Sequence, residues 1–223
     1  MKLKLLFVIL IILGCENEKN QINVNVQIDG FKKGKIYLQK IKDSVLVNLD
    51  SVFVDSKNPI ILKSKIESPE IFYIDLDIAG KDNKIAFFAE KGDIKIATNL
   101  KRFNTEFEIF GSSNDSVYRN YLSVIKKFNN NRLDLIKVSF DNSIDKDSVA
   151  IIQTKIKNLN KRQYMYSLNF AVTNGKYHVA PYIALSEFYN SEKVLLDTIK
   201  TSLSNKVLNS KYGQMLKELI ESK

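Results

Sequence analysis

The chain has 223 residues, 44% of them hydrophobic, and a formal charge of +9 from 34 Lys+Arg against 25 Asp+Glu. A single cysteine and a single histidine exclude an internal disulfide, a Cys-x-x-Cys redox pair and a thiolate metal centre. Neither Gly-x-x-x-x-Gly-Lys nor Gly-x-Gly-x-x-Gly occurs, so the phosphate-cradling loops built on those spacings are absent as well.

Lys2 and Lys4 precede an apolar run over residues 5–13, which ends in Gly14 and Cys15 and is followed by Glu16-Asn17-Glu18-Lys19. A positive start, a short apolar stretch and a small residue before the cut describe an export signal. The run falls well short of the roughly 20 apolar residues that span a bilayer. Ile12-Leu13-Gly14-Cys15 has the form of a lipobox, with cleavage after Gly14 and acylation of the Cys15 thiol. The alternative is an ordinary signal peptide with an incidental cysteine. The lipobox reading predicts a signal over 1–14, a lipidated tether over 15–21, and a membrane attached through lipid on Cys15. It also predicts residence in the cell envelope, with the outer membrane as destination and the face left open. Removal of 1–14 leaves 209 residues, enough for one large domain or two small ones.

Residues 22–111 read as β structure. Ile22-Asn23-Val24-Asn25-Val26-Gln27-Ile28 alternates apolar and polar side chains, the mark of a strand with one buried face. Further strands are predicted over 35–41, 45–54, 60–66, 71–76, 84–89, 93–98 and 106–110. Asp29-Gly30, Ser68-Pro69 and Lys91-Gly92-Asp93 are among the turn signals between them. Eight short strands at near-regular spacing predict an antiparallel β-sandwich or partly open barrel.

Gly111-Ser112-Ser113-Asn114-Asp115 marks a boundary, with Ser113 or Asn114 placed to cap a helix starting near 115. Polar breaks are predicted at Asn129-Asn130-Asn131 and near Asp141-Asn142-Ser143. The longest helix is expected from about 147 to 172, with Val149, Ile152, Ile156, Leu159, Tyr166 and Phe170 as core positions and Asn174-Gly175 as its cap. Pro181 sits at a tolerated first-turn position of another helix. Two more are predicted over 192–203 and 210–220. The fold class is therefore α+β, a β-rich domain over 22–111 followed by an α-helical segment over 112–223. That second half holds 17 basic against 10 acidic residues and so carries the mature chain's whole positive excess. A solvated Lys-rich helical surface accounts for this; anionic lipid or an acidic partner is the sharper alternative.

Leu49-Asp50-Ser51-Val52-Phe53-Val54, Ile66-Glu67-Ser68-Pro69-Glu70, Phe87-Phe88-Ala89-Glu90-Lys91-Gly92-Asp93-Ile94 and Ile109-Phe110-Gly111-Ser112 resemble a domain of unknown function in Gram-negative lipoproteins. In that family the domain stands ahead of a thioredoxin-like thiol:disulfide interchange domain. A helical segment joins the two, and Leu208-Asn209-Ser210-Lys211-Tyr212-Gly213 resembles its closing helix. The sequence ends at Lys223, where the thioredoxin-like domain would begin. The family's redox cysteines belong to that domain, so none of its catalytic residues maps onto a position here.

The remaining chemistry is sparse. His178, the one imidazole, reads as structural rather than as a ligand, and no Gly-x-Ser-x-Gly elbow accompanies it. Asp75 and Asp77, with Glu70 upstream, are the only carboxylate pair considered for hydrolysis, and the absence of tryptophan weakens a sugar platform. The basic-aromatic phrases near Tyr118-Arg119 and Lys161-Arg162 fall at helical core spacing in an exported chain, against nucleic acid. The expectation is a lipid-anchored, non-enzymatic envelope module that binds or scaffolds, without a cofactor or metal. The alternatives are an accessory to an envelope thiol-redox protein on another chain and, remotely, a carboxylate-dependent hydrolase.

Overall fold

The computed structural model describes residues 20–55, 59–78, 83–140 and 145–223. Gly14, Cys15 and the expected break at Asp141-Asn142-Ser143 lie outside the described residues. Eight strands follow one another: β1 (Gln21–Asp29), β2 (Gly34–Lys42), β3 (Val45–Val54), β4 (Ile60–Lys65), β5 (Glu70–Leu76), β6 (Lys84–Ala89), β7 (Gly92–Asn99) and β8 (Phe107–Phe110). They form two four-stranded sheets, β4-β1-β7-β8 and β3-β2-β5-β6, packed face to face and not closed into a barrel. The alternation in β1 buries Ile22, Val24, Val26 and Ile28 between the sheets, against Ile36, Leu38, Phe72, Ile74 and Phe87. Among the described residues the strand pairs are antiparallel except β1 with β7, which run parallel from Ile22↔Gly92 to Asp29↔Asn99. Side-chain alternation specifies a strand's faces but not the direction of its neighbour, so this pairing is a tertiary property.

In the second sheet, β5 and β6 are buried on both sides. Along β5 and β6, Phe72, Ile74 and Phe87 enter the sandwich core, whereas Ile71, Tyr73, Ala86 and Phe88 face a helical layer. That layer comprises α1 (Ser113–Ser139), α2 (Lys146–Thr173), α3 (Val179–Glu187), α4 (Lys193–Ser202), α5 (Asn205–Leu208) and α6 (Lys211–Glu221). Its centre is α3, whose Val179, Ala180, Ile183 and Ala184 are buried against Leu196, Ile199, Leu216 and Ile220.

Several helical expectations change. The N-cap of α1 is Ser112, one residue before the predicted Ser113 or Asn114, and its Oγ accepts the Asp115 N–H at 2.9 Å. The break predicted at Asn129-Asn130-Asn131 does not occur; α1 runs through it for 27 residues. The Asn penalty is a few tenths of a kcal/mol per residue. Pairing with α2 overrides it, with Arg132 donating to Asn160 Oδ1 at 2.9 Å across the hairpin. The helical core takes residues of α1 only as far as Ile125 and of α2 only from Tyr166 onward. Val149, Ile156 and Leu159, expected as core, are therefore only half-buried. The short α5 had no expected counterpart.

Candidate functional site

The sandwich and the helices meet along the edge strand β6 and the start of β5. An unpaired sheet edge exposes backbone donors and acceptors, and the start of α1 covers this one. The Phe88 N–H donates to Asp115 Oδ1 at 2.9 Å, and the Ser112 hydroxyl donates to the Phe88 carbonyl at 2.7 Å. Arg119, one turn on, holds Asp115 from 3.2 Å and also donates to the Ala86 carbonyl. Asp115 is only 1% exposed, so its charge depends on these partners.

At the other edge of β5 the sheet opens. Pairing of β2 with β5 runs from Ile36↔Leu76 to Lys40↔Phe72 and stops there. The Ile71 N–H, one residue beyond, donates instead to the Tyr212 hydroxyl of α6 at 3.0 Å. Between the diverging β2–β3 hairpin and α6 lies a cleft of about 550 Å³. Its floor carries Ile71, Tyr73, Tyr182 and Tyr212; Ile41 and Met215 form apolar walls; Lys42, Asp43 and Lys211 stand at the rim. Asp43 and Ser44 adopt φ of 50° and 64° in the two-residue hairpin turn, both left-handed as a type I′ turn requires.

The floor is rigid. Phe88 packs edge-on against Tyr118, Tyr182 and Tyr212 with centroids 5.6–6.0 Å apart, an arrangement that suits the ring quadrupoles. Burial pushes the phenols of Tyr73, Tyr118, Tyr182 and Tyr212 above their ordinary value of 10.0, so they remain neutral hydrogen-bonding groups. Beneath the rim, Glu70 is buried and receives Lys40 at 2.9 Å and Lys211 on its other oxygen. Lys40, Lys42 and Lys211 against Glu70 and Asp43 leave this end of the cleft with a net excess of one positive charge.

Glu70 is this buried ion-pair centre. Asp75 lies five residues along β5, about 17 Å away by strand rise, and faces Lys84 at 3.7 Å. Asp77 accepts from the Tyr37 hydroxyl at 3.5 Å. His178 is buried at the start of α3, and its backbone N–H donates to Asn114 Oδ1 at 2.8 Å. Its Nδ1 has no hydrogen-bond partner among the described residues. Also among the described residues, no group of three or more His, Cys, Asp or Glu is placed to hold a metal ion. A second depression of about 580 Å³ lies on the solvent face of β4-β1-β7-β8, between Ile61 and Phe110. It is shallower, because one sheet alone forms it. Sequence reasoning missed the cleft: its residues come from positions 41 to 215, and no local pattern links them.

The architecture is an α+β sandwich, with eight strands in two sheets followed by six helices among the described residues. Residues 21–118 match the family described as Domain of unknown function (DUF4369), the N-terminal domain found in some thioredoxin-like proteins; no thioredoxin domain is matched. The matched segment passes the last strand and takes in the Ser112–Asp115 cap on β6, which ties the start of α1 to the sandwich. No curated protein and no solved structure matches the chain.

Proposed function

We propose that this protein is a lipid-anchored module of the cell envelope, attached through Cys15, that acts by binding rather than by catalysis. The cleft between the β2–β3 hairpin and α6 is its binding surface. The observation that carries this reading is the composition of that cleft, a preformed tyrosine floor with apolar walls and a lysine-bearing rim. Such a concave apolar surface with few polar groups suits a small ligand. An amphipathic ligand fits best, its apolar body on Tyr73, Tyr182 and Ile41 and an anionic group toward Lys42 and Lys211.

Two measurements test it. Cells fed an alkyne fatty acid should yield labelled, membrane-bound protein, and Cys15→Ser should lose both the label and the membrane fraction; a labelled Cys15→Ser protein overturns the anchor. The purified chain should enhance the fluorescence of dansylaminoundecanoic acid, and Met215→Glu, an exposed substitution, should weaken that at least tenfold. No enhancement, or enhancement unchanged by Met215→Glu, overturns the cleft.

A second reading is favoured by the family match: the module assists a thioredoxin-like protein carried on a separate chain. Deletion of the gene should then shift the thiol status of envelope proteins, and an unchanged status would sink this reading.

A further inference from the structure

We infer that the tip of the β2–β3 hairpin and the adjoining mouth of the cleft form a second membrane contact, seated on the bilayer to which Cys15 tethers the chain. The inference rests on the Cys15 reading above. It begins with an end of the molecule. Asn20 accepts the Ile66 N–H at 2.9 Å, and Gln21 pairs with Lys65, so the chain enters the fold where β4 ends. The next strand, β5, starts at that same end, and Lys40↔Phe72 brings the β2–β3 turn to it. The first residue of α6 joins them, because the Lys211 N–H donates to Ser68 Oγ at 3.3 Å. Chain entry, hairpin tip and cleft mouth lie at the same end of the fold.

Four residues lie between Cys15 and Asn20, and the five Cα steps reach at most about 18 Å when extended. An acylated Cys15 therefore holds this end against the membrane. The side chains found there are those of a membrane-facing surface. Ile41, Val45, Leu46 and Met215 are 47%, 61%, 40% and 42% exposed, with Lys42 and Lys211 beside them and Asp43 the one acidic side chain at the turn. Exposed apolar side chains at a hairpin tip carry a cost in water, which burial in the headgroup layer removes. Flanking lysines match anionic lipid, and long stems let their charges stay at the interface. A short anchor plus an apolar-basic contact supplies the two signals that stable attachment takes. The distant α1–α2 hairpin is also basic, but α1 leaves this end: Asp115 meets Phe88 and Arg119 meets Ala86, so the helix runs back along β6.

The test uses the lipidated chain in vesicles of phosphatidylethanolamine and phosphatidylglycerol. Cys15 is the only cysteine, so once acylated it leaves no free thiol. Maleimide labelling of the unaltered protein reports on the anchor alone: a reactive thiol there means that the Cys15 reading fails. With the anchor intact, Val45→Cys carries the only reactive thiol and takes a polarity-sensitive dye; Leu133→Cys on α1 serves as the distant, equally exposed comparison. We expect at least a twofold emission increase at position 45 on vesicle incorporation, quenched by brominated lipid, and none at position 133. No change at 45, equal change at both positions, or an increase at 45 in lipid-free solution that grows with protein concentration would overturn the inference. The last result would mean a second copy of the chain occupies the tip.

Discussion

Phe87 and Phe88 are adjacent in the chain, both fully buried, and belong to different cores. Phe87 meets Phe72 edge-on inside the sandwich, with centroids 6.3 Å apart. Phe88 points through the other face of β6 into the tyrosine cluster of the helical layer. A strand rotates successive side chains to opposite faces, so one dipeptide ties the two layers together. Either residue changed to Ala should cost about 3–5 kcal/mol. The consequences should differ in place: Phe88→Ala loosens hydrogen-exchange protection in α3 and α6 first, and Phe87→Ala in β1 and β7. Identical exchange maps for the two variants would contradict this division.

Asp115 is the polar counterpart of Phe88. Its replacement by Ala leaves the Phe88 N–H and one face of Arg119 without their partner. A buried donor stripped of its acceptor costs about 1–3 kcal/mol, and more with a charge involved. Urea denaturation should show a lower midpoint for Asp115→Ala than for Asp115→Asn, which keeps an acceptor oxygen.

Tyr212→Phe removes one hydroxyl and leaves the ring packing in place. The Ile71 N–H then lacks its acceptor at the point where β2 has left the sheet. A loss of about 1–2 kcal/mol is expected in chemical denaturation, together with faster exchange of the Ile71 amide. A neutral result would show that water replaces the hydroxyl there.

Gly213 lies where α5 meets α6. A Cβ at this position would come within 2.2 Å of the Val207 carbonyl oxygen and 2.5 Å of that of Leu208, backbone atoms that cannot swing aside. Gly213→Ala should destabilise by about 1–3 kcal/mol and, because α6 forms one wall of the cleft, weaken probe binding. Unchanged thermal stability would mean that α5 sits farther from α6 in solution.

His178 gives the pH dependence a direction. Burial first, and then the charge of Lys206, hold its pKa below 6.5, with Glu90 opposing. The folded state therefore binds the proton less readily than the unfolded chain. Its contribution to stability is complete above about pH 6.5 and is lost as pH falls through the lower folded value. Denaturation midpoints taken between pH 7.5 and 5 should fall, and His178→Gln should flatten that slope.

The strands were legible because their signal is local. The alternation from Ile22 to Ile28 and the Asp29-Gly30 turn need no partner to be read, and β3 and β6 occupy the predicted spans. The continuous α1 across Asn129-Asn130-Asn131 was not legible, because local propensity argues for a break and only contact with α2 decides otherwise. The four-residue α5 is too short to show a helical period at all. His178 offered only its residue type to a sequence reading; its burial and its link to Asn114, 64 positions away, came from the fold.

By itself the sequence determined the eight strands and the longer helical periods, because periods of two and of about 3.6 residues are properties of single elements. Tertiary structure alone decided which faces meet. It made β1 parallel to β7, buried β5 and β6 on both sides, and ended the β2–β5 pairing at Lys40↔Phe72 so that a tyrosine-floored cleft opens beside it. Those outcomes depend on contacts between distant residues, such as Ile71 with Tyr212, 141 positions apart, and no local pattern encodes the partner.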